Sequence, residues 1–220
     1  MTKGRYPMRR YAGMALLLAL VVQWGCASRT VQVPVPPRVD LKRYGTLGLV
    51  EFTSNFDAAV NARATREFQA QVHSAQPGTP MLELGSREAV LAAVGGKQFD
   101  PDTLRKLGQK YGVDAVFVGE ITYSEPKTDY QVTDLSRVEG AARTAVRGDV
   151  VTRLYETRSG ASIWSSSAWA RREISRVNVS LDRGVSGKVR GADPREEMIP
   201  SFIWHLTSDF RATTVTQRAD

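Results

Sequence analysis

Short apolar stretches alternate with amphipathic stretches from Leu41 onward, and this alternation restricts the chain to a layered α/β fold. We predict strands at 46–52, 81–84 and 115–118, and helices at 60–72, 89–94 and 101–111. The stretch that begins at Ala115 is apolar on both faces, as expected for a central strand covered on both sides. Because helices between strands require right-handed crossovers, this half of the chain predicts a partly parallel sheet.

The second half predicts an antiparallel hairpin followed by one helix. Residues 144–155 alternate between apolar and polar side chains, and a return strand follows the turn at 157–160 and runs from Ile163 to about Ile174. A helix opens at 193–194. Its apolar stripe is formed by Ile199, Phe202, Ile203, Leu206 and Phe210. The predicted fold class is α/β, a single domain with a twisted mixed sheet, a C-terminal antiparallel hairpin and helices packed on the sheet.

A basic head and an uncharged apolar run stand at the amino terminus. The positive charges of the head are Lys3, Arg5, Arg9 and Arg10. The run at 12–22 is too short to cross a hydrocarbon core of about 30 Å at a rise of about 1.5 Å per residue. Small side chains then surround Cys26, the only cysteine of the sequence. This layout indicates an export signal instead of a permanent transmembrane helix.

The segment resembles a bacterial lipoprotein signal, in which the cysteine becomes the lipidated first residue. Gly25 and Cys26 match that pattern, whereas Gln23 and Trp24 stand where an apolar and a small residue are usual. The resemblance implies acyl chains such as palmitate on Cys26. Because Ala27 follows the cysteine instead of aspartate, it also implies an outer-membrane location with the domain facing the periplasm. Secretion of a soluble protein after cleavage behind Ala27, and an uncleaved anchor, are the alternatives.

Three segments are therefore expected along the chain. Residues 1–25 form the signal peptide, 26–40 a lipidated proline-rich tether and 41–220 the α/β periplasmic domain. The prolines within 34–37 favour extended polyproline geometry and exclude helix and sheet from the tether. Four of the 30 basic residues lie in the signal, which leaves 26 basic against 23 acidic groups. This small excess does not indicate a nucleic-acid partner.

Two segments of the domain resemble one family. Residues 111–121 run from a helix end through a glycine into an apolar strand and a second glycine, and 154–165 form a strand, a turn and a strand that begins Ile-Trp-Ser. Both are similar to periplasmic lipoproteins of the curli-secretion and penicillin-binding-protein-activator type. Glu156 and Ser159 stand at the positions of that family's usual turn acid and threonine. The resemblance implies a non-enzymatic domain, tethered to the outer membrane, that serves cell-envelope assembly through protein contacts.

Two other functions stay open as alternatives. The curli-secretion lipoprotein forms an oligomeric pore by sending two β-hairpins per subunit through the membrane, and this chain has polar insertions at comparable places, 124–143 and 175–193. The charges of the first insertion, and the break at 182–184 in the second, argue against lipid-facing strands. An envelope hydrolase is the other alternative. The sequence has no nucleophile-elbow pattern and only two, widely separated histidines, so we predict no catalytic residue, cofactor or metal site.

The hairpin offers the best candidate for a contact surface. Tyr155, Trp169, Arg171 and Arg172 are of residue types that are enriched at protein interfaces. We expect this surface to bind an unidentified periplasmic or envelope protein, or a second copy of the chain. The alternative is that Trp164 and Trp169 only pack beneath a helix. Since the two tryptophans fall on opposite faces of the strand, at least one of them should be incompletely buried.

Overall fold

The computed structural model describes residues 30–134, 139–180, 184–189 and 193–218. The strands are β1 (Thr30–Val35), β2 (Leu47–Val50), β3 (Thr53–Ser54), β4 (Met81–Gly85), β5 (Ala115–Tyr123), β6 (Lys127–Asp134), β7 (Glu139–Glu156), β8 (Ser162–Ser180), β9 (Gly184–Val189) and β10 (Thr213–Arg218). The helices are α1 (Ala58–Ala75), α2 (Arg87–Val94), α3 (Pro101–Tyr111) and α4 (Pro194–Leu206). The chain divides into a small unit that contains β1 and β10 and a large unit, 37–212.

The small unit is a two-stranded antiparallel sheet in which Thr30 pairs with Arg218 and Val35 pairs with Thr213. The expectation that residues 26–40 contain no sheet is therefore wrong for β1. Pro34 lies within that strand, and a two-stranded sheet tolerates it because a missing N–H can face the unpaired edge.

The large unit is built on one mixed sheet of strand order β4-β2-β5-β7-β8-β9, with β3 beside β5 and β6 beside β7. β2 is parallel to both β4 and β5, and from β5 onward the neighbouring strands are antiparallel. The predicted mixed α/β sheet and the predicted hairpin are confirmed. The hairpin is longer than predicted, because β7 and β8 remain paired from Tyr155 opposite Ser162 to Gly140 opposite Val179.

One face of the sheet, the inner face, is covered by α1 and α4 and holds the larger core. Aromatic rings pack edge to face at its centre. The ring centroid of Phe117 lies 5.1 Å from that of Phe68 and 5.9 Å from that of Trp164. Phe210, predicted on the stripe of the last helix, is fully buried in this core but lies in a short 3-10 turn after α4 has ended. At the end of the helix, the Thr207 hydroxyl donates to the Ile203 carbonyl at 2.7 Å.

The opposite face, the outer face, is covered by α2 and α3 only over β2, β4 and the start of β5. A small core fills this contact and includes Leu84, Val90, Leu107 and Val116. α3 begins and ends where it is predicted, whereas α2 ends at the predicted residue but begins two residues earlier, at Arg87. Asp100 caps α3 by accepting from the Thr103 amide at 2.8 Å, and each helix ends at a left-handed glycine. Among the described helices, none has the length and apolar character needed to cross a bilayer.

Candidate protein-contact surface

The outer face of β7 and β8 is left open by the helices. We call this surface the open face. Its side chains are Arg147, Asp149, Val151, Arg153, Tyr155, Ser165, Ser167, Trp169 and Arg171, all exposed or half-buried. Side chains alternate across a strand, so one face of β7 and β8 contributes to the core while the other contributes these residues.

Three of the four predicted contact residues lie on the open face, and the fourth does not. Trp169 lies opposite Asp149 on the neighbouring strand. Arg172 pairs with Val146, which is fully buried on the inner face. The side chain of Arg172 therefore lies on the inner face of the sheet. Tyr155 is separated from Asp149 by six residues along β7, or about 20 Å. The four predicted residues therefore do not form one cluster. Trp169 and Arg171 lie together on the open face, Tyr155 lies farther along the same face, and Arg172 lies on the inner face.

Trp169 is the most exposed large apolar side chain of this surface, with 64% of its surface accessible. It is not loose. The guanidinium carbon of Arg147 lies 5.0 Å from its ring centroid, within the range of a cation–π contact. Arg147 is itself fixed, because it donates from Nε to Asp149 Oδ2 at 2.9 Å and from Nη2 to Asp149 Oδ1 at 2.6 Å.

The electrostatics of this cluster keep it in one charge state. Hydrogen bonding from Arg147 holds the pKa of Asp149 below its ordinary value, and the same bond raises the pKa of Arg147. Both groups therefore stay ionised at any physiological pH. Sequence reasoning missed Arg147 and Asp149 as contact residues, although the alternation in 144–155 places both on the polar face of the strand.

Two concavities flank the tryptophan and the tyrosine. Beside Trp169, a cavity of about 440 Å³ is bounded on its far side by β6, where Asp129 accepts from Arg171 at 2.5 Å. Near Tyr155, a groove of about 590 Å³ runs beneath the loop between α2 and α3. There the Arg87 guanidinium lies 5.3 Å over the ring of Phe99. Each concavity thus combines an aromatic ring with an arginine, as protein-contact pockets commonly do.

Within the described ranges, no three His, Cys, Asp or Glu side chains come together in a group that could hold a metal ion. Cys26 and the signal segment lie outside the described residues, so the lipid attachment remains a prediction from the sequence. Residues 182–183, part of the predicted break in the second insertion, and Arg137 also lie outside them.

No family model matches the chain, and no curated protein sequence matches it. Solved structures do show similarity. The PelC dodecamer from Paraburkholderia phytofirmans is 11% identical with a TM-score of 0.42, and the alignment covers 84% of this chain and 99% of that one. For the LpoB C-terminal domain from Salmonella enterica the values are 11%, 0.35, 71% and 94%. For lipoprotein GNA1162 from Neisseria meningitidis they are 22%, 0.33, 58% and 81%. Bacterial lipoproteins are thus among the structures that this chain resembles, but similarity at this level assigns it neither a family nor a function.

Proposed function

We propose that the chain is a non-catalytic envelope lipoprotein, held at the outer membrane through Cys26, that acts in cell-envelope assembly by binding another protein with its open face. The observation that carries the proposal is Trp169, an exposed tryptophan under the ion-paired guanidinium of Arg147, on a sheet face that none of the described helices covers. The lipid signal in the sequence supports the membrane half of the proposal.

The physical reason lies in what such a tryptophan can contribute to binding. Trp and Arg dominate the energetics of protein interfaces because each removes a large surface from water while making directed contacts. A side chain that is already fixed loses little conformational entropy when a partner covers it. Here the bond from Arg147 to Asp149 fixes the arginine, and the arginine in turn fixes the indole ring. The cluster is therefore preorganised for contact.

A capture experiment tests this proposal. The full-length protein is isolated from cross-linked cell envelopes, and the proteins retained with it are compared among variants. Trp169→Ala together with Arg171→Gln should abolish retention of the specific partner.

The matched control is Trp204→Ala on α4. Trp204 is also exposed, at 56%, and also carries an arginine over its ring, since the Arg211 guanidinium lies 3.5 Å from the centroid. It lies outside the open face, so its replacement should leave capture unchanged. Equal capture by wild type and the Trp169/Arg171 variant would contradict the proposal.

A pore subunit is the second candidate, because of one specific observation. In the first polar insertion, the described charged side chains of β6 lie on one face of the strand. In β6, Lys127 and Asp129 lie on one face, while Tyr130 and Val132 lie on the other and are 81% and 67% exposed. The charges of the first insertion argue from sequence against lipid-facing strands, but those of Lys127 and Asp129 lie on only one face of β6.

The described strand lengths make this candidate the weaker one. A membrane strand needs about 9–11 residues, whereas the described parts of β6 and β9 have 8 and 6 residues. Val132→Asp and the neighbouring Gln131→Asp, on opposite faces, separate the two readings. A pore requires that only Val132→Asp destroys rings that are stable in detergent. A contact protein elutes as a monomer or small oligomer in both cases.

A further inference from the structure

The strand β8 has a long edge that is not paired. On one side it pairs with β7 along its whole length, but on the other side only Ser175–Ser180 pair, with β9. Among the described residues, no backbone hydrogen bond joins the free side of 162–174 to any other segment. Such an edge presents a row of N–H and C=O groups that another strand can use.

The side chains along this edge favour strand addition. Residues 165–168 are three serines and an alanine, and Ala170 follows Trp169, so little bulk obstructs an incoming backbone. Proteins usually protect free edges with charges, prolines or bulges. Here the charges, Arg171, Arg172 and Glu173, and the irregular pairing near Ile174 lie only at the far end.

The opposite end of the same sheet has a second free edge. β4 pairs with β2 on one side, and in the described chain its other side has no strand partner. Following the pairings across the sheet, β4 runs in the same direction as β8. A second copy continued along the sheet therefore presents its β4 to β8 in parallel, with the inner and outer faces of both copies matched.

The exposed side chains of the two edges are complementary on both faces. On the outer face, β4 contributes Leu82, which is 43% exposed, and β8 contributes Trp169. On the inner face, β4 contributes Glu83, which pairs with the core residue Leu49, and β8 contributes Arg172. In the described part of the chain, neither Glu83 nor Arg172 has an ion-pair partner.

We infer that the free edge of β8 binds β4 of a second copy of this chain, in parallel, with Leu82 beside Trp169 and Glu83 diagonal to Arg172. That register places Glu83 beside Ala170, two residues from Arg172 on the same face, within reach of two long side chains. Because the two edges differ, the contact is head-to-tail, and repeated use gives a ring if the rotation closes. This inference does not depend on the proposed capture of a partner protein.

Charge reversal in trans is the test, carried out on the full chain purified in mild detergent and followed by sedimentation over a range of concentrations. Glu83→Arg and Arg172→Glu should each weaken self-association about tenfold or more. An equimolar mixture of the two variants should restore it, because each mixed contact again joins an acid to a base. Glu125→Arg, an exposed reversal in the loop after β5, is the control and should have no effect.

Amide hydrogen exchange provides a second measurement that does not depend on charge. Amides within 165–170 should exchange more slowly as wild type associates. A monomer at all concentrations, or weakening by Arg172→Glu but not by Glu83→Arg, would overturn the inference. The second result would indicate pairing of β8 with β8. Glu83 is not on the open face, so the two proposals can fail separately. If the Trp169/Arg171 variant loses partner capture while the charge-reversal variants self-associate as wild type does, this contact is refuted and the proposed function stands.

Discussion

Trp164 and Trp169 lie on opposite faces of β8, and we predict that their replacement by alanine has very different costs. Trp164 is 8% exposed, and its ring centroid lies 4.7 Å from that of Phe210 and 5.9 Å from that of Phe117. Its indole N–H also donates to Asp209 Oδ2 at 3.2 Å. A tryptophan that buries on the order of 200 Å², at about 25 cal/mol per Å², contributes about 5 kcal/mol to the free energy of unfolding.

The same reasoning gives a much smaller value for Trp169. It is 64% exposed, so only roughly a third of its surface is buried, and its truncation loses at most about 2 kcal/mol. The predicted difference between the two alanine variants is thus about 3 kcal/mol. The value of about 5 kcal/mol for Trp164 lies at the upper end of the range of about 3–5 kcal/mol for truncation of a buried aromatic residue.

Urea unfolding of the purified protein, followed by circular dichroism, measures both values. If Trp164→Ala fails to fold, Trp164→Phe keeps an aromatic ring in the core and should cost less, about 1–2 kcal/mol. Trp169→Ala should fold normally while losing partner capture, which separates a contact role from a packing role. Equal destabilisation by Trp164→Ala and Trp169→Ala would refute the reasoning, because it would mean that Trp169 also supports the fold.

Three further predictions concern single side chains. Arg147→Ala should raise the pKa of Asp149 toward its ordinary value, because the donor that lowers it is lost; an NMR titration of the carboxyl carbon that showed no change would contradict this. Burial raises the pKa of Tyr123 to about 12. The stability that the folded state gains from holding this hydroxyl neutral is therefore complete below about pH 10 and is lost as the pH rises through 12. Tyr123→Phe should remove this loss, about 2–3 kcal/mol in unfolding experiments across that window, and an unaltered alkaline slope would count against it. Gly119→Ala would drive its methyl group into a phenylalanine ring and should cost about 1–3 kcal/mol, whereas Gly187→Ala, whose nearest neighbours are 3.7 Å away, should leave the urea midpoint nearly unchanged.

Local patterns predicted the elements of the sheet well. The alternation in 144–155 and the turn at 157–160 were sufficient for the hairpin, because register in a hairpin follows from its turn and its apolar face. The predicted bounds of α3 are correct at both ends, because Asp100 caps the first turn and Gly112 adopts the left-handed conformation after the last one. The expectation that at least one of Trp164 and Trp169 is incompletely buried is confirmed for Trp169, since a separation of five residues changes the face of a strand.

Features that depend on distant pairing could not be predicted in this way. β1 pairs with a segment near the other end of the sequence, and its proline argued for a different conformation. β6 was not predicted, because the charges of Lys127 and Asp129 are typical of a polar loop, although they occupy only one face of the strand. The contact of the Arg147 guanidinium with the Trp169 ring depends on the cross-strand register of β7 and β8, which no single segment shows.

The proposed function depends on attachment of the protein to a bilayer through Cys26, and mass spectrometry of the mature amino terminus tests this attachment. The protein is purified from the membrane fraction without proteolysis, and its first peptide is analysed. The mature chain is expected to begin at Cys26, with acyl chains attached through its sulfur. A mature chain that begins at Ser28, or a Cys26 with a free thiol, would rule this attachment out.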